Sequence, residues 1–138
     1  MKNRILVVDD EKEIADLVEI YLVSEKFDVI KCYDGDIAID AIEHEKIDLA
    51  ILDIMLPGKD GFELLGVMKE HGIPVIYITA KADVNSKIKG LRSGAEDYIV
   101  KPFEVLELLV RVEKVLERTG KQLSLIHISE PTRLRRIS

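Results

Sequence analysis

The chain has 138 residues, 47% hydrophobic and 33% charged, which fits one soluble globular domain and excludes a disordered or membrane-embedded chain. No apolar run approaches the ~20 residues of a spanning helix, the N-terminus MKNRILVVDDE turns acidic too soon for a signal peptide, and the single cysteine, Cys32, excludes an intrachain disulfide and suits a reducing cytoplasm. The net charge of −6 is uneven: beyond Arg118, Lys121, Arg133, Arg135 and Arg136 against Glu130 give +3, leaving −9 on residues 1–118, a poor surface for nucleic acid.

Five short apolar segments alternate with helical patterns. Arg4–Val8 reads as a strand, and Glu11–Ser24 as a helix with Ile14, Leu17, Val18, Tyr21 and Leu22 on one stripe. Phe27–Cys32 alternates apolar and polar residues, as a strand nearer a sheet edge does. Asp36–His44 follows as a helix carrying Ile37, Ala38, Ala41 and Ile42. Leu49–Leu52 is a third strand, and Gly61–Glu70 a helix with Phe62, Leu64, Leu65 and Met68. Pro74–Ile78 and Tyr98–Val100 complete the strands. Val84–Arg92 (Val84, Ile88, Leu91) and Glu104–Glu117 (Leu106, Leu109, Val110, Val112, Leu116) complete the helices. Near-continuous apolar strands are buried on both faces. The alternation predicts an α/β fold, a doubly wound five-stranded parallel sheet with five helices and right-handed crossovers. Gly35, Pro57–Gly58, Gly72–Ile73–Pro74 and Gly94 supply turns.

In such sheets ligands bind beyond the carboxyl ends of the strands. Those ends read Asp9–Asp10–Glu11, Asp53, Thr79–Ala80 and Lys101–Pro102. Clustered carboxylates repel unless a cation neutralises them, and oxygen ligands favour a hard metal such as Mg²⁺. A carboxylate can attack phosphorus to form an acyl phosphate. A lysine and a metal stabilise the charge on the transferring group, and a threonine hydroxyl can follow a new phosphoryl oxygen. Taken singly, each residue has a plainer use: Asp9–Asp10 as helix caps, Asp53 as a turn residue, Thr79 as a strand-end hydroxyl, Lys101 as a solvated lysine. Together, at four strand ends, they form a phosphoryl-transfer set. The position two residues after Asp53 is Met55 rather than a second acid, which argues against a D-x-D phosphatase. His44, His71 and His127 show no ligand spacing and read as surface residues.

The runs ILVVDDEKEIADLVEIYL, DLAILDIMLPGKDGFELL, VIYITAK and GAEDYIVKPFEVLELLVRV resemble the receiver domain of bacterial two-component response regulators, of the OmpR/PhoB type and VanR-like. The resemblance covers about 3–118. It implies a flavodoxin-like strand order 2-1-3-4-5 and Asp53 as phosphoacceptor. Asp10 would ligate Mg²⁺ directly, Asp9 through water, with Asp53 and the Met55 carbonyl completing the site. Thr79 would be the switch hydroxyl and Tyr98 the aromatic that turns inward with it. Lys101 would bond the phosphoryl oxygens, before a cis Lys101–Pro102 peptide. The implied partners are a sensor histidine kinase and a second copy of the chain, dimerising on phosphorylation. The dimer face would carry Lys87, Asp97, Glu107 and Arg111 as ion-pairing residues and Ile88 and Leu91 as an apolar patch. Glu96 and Glu113 depart from the pattern, standing where many relatives pair an acid with a base. The bland use of these charges is a solvated face.

Residues 1–120 therefore read as the receiver and 121–138 as a tail. Leu123–Arg133 (LSLIHISEPTR) resembles the translation of a sequencing-library adapter, so the tail is expected to be non-native and poorly ordered. Regulators of this type continue into a winged-helix DNA-binding domain. The expectation is that it is absent here, so that DNA would be reached only through that missing domain.

Overall fold

The computed structural model describes residues 2–56, 61–80 and 84–120; of Val84, Ser86 and Lys87 only the backbone is described. The expected tail, His127, the Pro57–Gly58 turn and the Lys87 side chain lie outside the described residues. Among the described residues ten elements alternate: β1 Arg4–Val8, α1 Lys12–Ser24, β2 Asp28–Cys32, α2 Gly35–His44, β3 Leu49–Asp53, α3 Gly61–Glu70, β4 Val75–Ala80, α4 Val84–Arg92, β5 Asp97–Lys101 and α5 Val105–Arg118. All strand pairs are parallel, in the order β2-β1-β3-β4-β5. The sheet is the doubly wound one expected, with alternating β2 as an outer strand.

Side-chain alternation along the strands divides the core in two. Ile5, Val7, Leu49, Ile51, Ile76 and Ile78 meet α1 and α5 on one face. Leu6, Val8, Ala50, Leu52 and Val75 meet α2 and α3 on the other. No helix among the described residues is long and apolar enough to cross a membrane.

Element ends differ from the sequence expectation for identifiable reasons. Strands β3, β4 and β5 run past their apolar residues, because ladder pairing continues to Asp53↔Ile78 and Ala80↔Lys101. Helix α2 starts at Gly35 because the Asp34 carboxylate caps it, accepting from Ile37 N–H at 2.9 Å, a contribution of about 1 kcal/mol. The stripes are narrower than expected. On α1 the sheet covers Ala15, Val18 and Leu22, leaving Leu17 and Tyr21 partly exposed. Ile37, Leu106 and Val110 also face outward.

Candidate functional site

The strand order sets the site. β1 and β3 are adjacent, so Asp9, one residue beyond β1, stands beside Asp53, the last residue of β3. β4 lies on the other side of β3 and brings Thr79 there. β5 lies beyond β4 and ends in Lys101. Asp9, Asp53 and Thr79 are buried, at 0%, 3% and 2% exposure, while Asp10 is exposed.

Backbone bonds hold each acid. Asp9 N–H donates to the Cys32 carbonyl at 3.1 Å, and Asp9 Oδ1 accepts from Glu11 N–H at 2.9 Å. Asp53 Oδ1 accepts from Met55 N–H at 2.9 Å, and Ile54 N–H donates to the Ile78 carbonyl at 3.2 Å. Gly61, which opens α3, lies so close to Ile54 that a Cβ would stand 2.5 Å from the Ile54 carbonyl oxygen. Only glycine lets α3 start against the chain leaving Asp53. Met55 itself turns its side chain outward, 64% exposed.

The Lys101 ammonium donates to Asp53 Oδ2 at 3.0 Å and to Glu11 Oε1, with Asp9 Oδ2 at 3.7 Å. Burial works against its charge, but the bonds to Glu11 and Asp53 outweigh it, and the ammonium titrates above the ordinary lysine range. The Asp9 carboxyl also moves up, which for an acid favours the neutral form: burial foremost, reinforced by the Asp53 charge, lifts it to about 7 against the opposing pull of Glu11 N–H and Lys101. The Lys101–Pro102 peptide is cis.

Carboxylate oxygens of Asp9, Asp10 and Asp53 all lie within 4.8 Å of one another. Two buried oxygens beside Asp53, Asp9 Oδ2 and Thr79 Oγ1, make no hydrogen bond among the described residues. Such atoms cost about 1–3 kcal/mol each when left unmatched. A cluster of hard oxygen donors with an unmatched carboxylate oxygen fits a divalent cation. Asp9, Asp10, Asp53, Thr79 and Lys101 are thus brought together at one edge.

A family model, the response regulator receiver domain, matches residues 5–113. The chain belongs to this family. Among curated relatives, the receiver is 54% identical over 119 residues to the regulatory protein VanRc of Enterococcus gallinarum, covering 86% of this chain and 52% of that protein. It is 49% identical over 122 residues to VanR of Enterococcus faecium, covering 88% and 53%. The chain spans about half the length of these relatives. Among solved structures, the receiver domain of Francisella response regulator 1452 has a TM-score of 0.78 at 35% identity, covering 86% of this chain and 99% of that one. A CheY-like receiver from Methanospirillum hungatei has a TM-score of 0.82 at 32% identity, covering 88% and 98%. The chain is therefore a two-component signalling domain with the strand order expected of it.

Other residues singled out in the receiver lie away from the edge. Tyr98 is half-buried on β5 and stacks on Tyr77, with centroids 5.7 Å apart and planes 28° apart. Arg111 Nη1 donates to both Asp97 oxygens, at 3.0 and 2.9 Å, and Nη2 to Glu107 at 2.9 Å, all within the chain. Ile88 and Leu91 are exposed at 48% and 44%. Glu96 meets Arg118 Nε at 3.5 Å, so its charge has a partner of its own chain. Cys32 is buried, and burial pushes its thiol up to about 11, an unreactive state. His44 and His71 are exposed.

Two residues escaped the sequence reading. Glu11 bonds Lys101, a pairing that its place beside Asp9 and Asp10 at the end of β1 allows but does not specify. Tyr77 is fully buried against Gly90 of α4. A glycine inside a short helix was the available signal.

Proposed function

We propose that this receiver is a phosphorylation-operated switch in which Asp53 accepts a phosphoryl group from a sensor histidine kinase in the cytoplasm. The supporting observation is the pair of buried oxygens on either side of Asp53, Asp9 Oδ2 and Thr79 Oγ1, which make no hydrogen bond among the described residues. One suits a metal ion and the other a phosphoryl oxygen. Asp9, Asp10, Asp53 and the Met55 carbonyl would hold Mg²⁺, which when bound neutralises the clustered carboxylates and the incoming phosphoryl oxygens.

In the reaction, an Asp53 carboxylate oxygen attacks phosphorus. The bond from phosphorus to the donor breaks, and the leaving group takes its electron pair: an imidazole nitrogen from the kinase, or acetate from acetyl phosphate. Lys101, already bonded to Asp53 Oδ2, balances charge on the phosphoryl oxygens. The Thr79 hydroxyl donates to one of them, and Tyr98 follows it inward. The domain catalyses only its own phosphorylation and slow hydrolysis. The output is a homodimer through the face formed by α4, β5 and α5. In a longer regulator, that dimer would control transcription through a DNA-binding domain.

The test is incubation with acetyl phosphate and Mg²⁺, followed by intact-mass measurement. One phosphoryl group should add to the parent and none to Asp53→Asn. An unchanged parent mass removes this reading.

A further inference from the structure

Glu11 has no role in the switch described above, yet it shares the Lys101 ammonium with Asp53. Its backbone sits at the N-cap of α1, at φ −80° and ψ 98°. A short side chain at that position normally accepts from the first turn of the helix. The Glu11 side chain makes no cap bond. It crosses instead to a residue 90 positions along the chain. Among the described residues Lys101 therefore has three acidic neighbours, and they differ in exposure. The side chains of Asp9 and Asp53 are 1% and 4% exposed, that of Glu11 55%.

We infer that Glu11 is a positioning residue that holds the Lys101 ammonium at the rim of the site and competes for it with the oxygens of an arriving phosphoryl group. The inference rests on the reading of Asp53 as acceptor. On this reading Lys101 trades its bond to Glu11 for one to the phosphoryl group. The released Glu11 carboxylate is solvated where it stands, since it is already half in water. While paired, it spends part of the lysine charge and adds a negative charge at the mouth through which an anionic donor enters. Its effect therefore falls on capture of the phosphoryl group. Once the group is on Asp53 and Lys101 is bonded to it, only the screened charge of Glu11 remains, and the hydrolysis rate is nearly independent of it.

The experiment compares parent, Glu11→Gln and Glu11→Asp with acetyl phosphate and saturating Mg²⁺, following phosphorylation and then hydrolysis by intact mass. Neither substitution removes a cap bond, so both variants fold. Glu11→Gln should raise the second-order rate constant for phosphorylation roughly three- to fivefold at low ionic strength, the scale of one partly screened charge interaction. The gain should shrink at about 0.5 M salt. Glu11→Asp keeps the charge but is one methylene too short to hold Lys101, so it should also be faster than the parent. Hydrolysis should agree among all three within about twofold, the remaining influence of an exposed, screened charge. A Glu11→Gln rate equal to or below the parent overturns the inference. So does Glu11→Asp matching the parent while Glu11→Gln is faster, which leaves a general field effect and no specific pairing. Parallel changes in phosphorylation and hydrolysis overturn it as well. A parent that takes up no phosphoryl group defeats the acceptor reading instead, and is told apart by that result alone.

Discussion

The ring of Tyr77 lies against Gly90, so close that a Cβ on Gly90 would stand 2.5 Å from ring carbons Cε1 and Cζ. Tyr77 is fully buried and also stacks on Tyr98, so its ring cannot swing aside. Gly90→Ala should destabilise the fold by about 1–3 kcal/mol, the usual cost of overpacking, even though alanine is the better helix former. Urea denaturation measures this. Tyr77→Leu should recover part of the loss in the double variant. Simple additivity of the two changes would show that the contact is not the cause.

The Asp9 carboxyl has a folded-state pKa of about 7 against an ordinary value of 3.8. The folded chain thus binds this proton more tightly than the unfolded one. The stability it supplies is full below about pH 4 and is lost as pH rises through 7. In EDTA, this group should make the protein less stable at pH 8 than at pH 5. Asp9→Asn, which still accepts from Glu11 N–H, should remove that slope and stabilise the metal-free protein at pH 8 by about 1–3 kcal/mol. Mg²⁺ at ten times its Kd should add about 1.4 kcal/mol to the parent. The check is urea denaturation across pH with and without Mg²⁺, and an Asp9→Asn slope equal to the parent's contradicts the assignment.

Arg111 is committed within its own chain to Asp97 and Glu107. On the proposed dimer face these groups would have to be shared with a second copy. Arg111→Glu should abolish phosphorylation-dependent dimerisation in sedimentation velocity while leaving Asp53 phosphorylation intact. The fold should lose only about 1 kcal/mol, because these pairs are partly exposed. Dimers that persist in Arg111→Glu would move the interface elsewhere.

The Met55 side chain projects from the site with its N–H anchored to Asp53. Its bulk would hinder water approaching a phosphorylated Asp53. Met55→Ala should speed hydrolysis several-fold, with the phosphorylation rate little changed. Equal lifetimes, measured by the decay of the phosphorylated mass after donor removal, would rule out this shielding.

The fold was legible because each strand is a short apolar run and each helix carries its own period. Residues at the strand ends could then be placed on one edge without coordinates. Asp9, Asp53, Thr79 and Lys101 needed only topology to meet. The features that escaped depend on side-chain reach. Topology puts Glu11 on the same edge as Lys101, but strand order does not fix which neighbouring acids the long lysine side chain reaches. Leu17, Tyr21 and Leu106 fit a helical stripe as well as their buried neighbours do. Which of them the sheet covers depends on how each helix is rotated over it, and periodicity of one helix does not fix that angle.

Lys101 ends an outer strand, while two of the acids it meets, Asp53 and Asp9, stand at the ends of the central strand β3 and its neighbour β1. On the proposed phosphorylation of Asp53, the Lys101 side chain would carry the change of charge toward one flank, β5 with α4 and α5 packed against it. The opposite flank, β2 and α2, receives no such tether from Lys101. In the proposed switch, the lysine's position in the strand order would set which flank lies nearer the change.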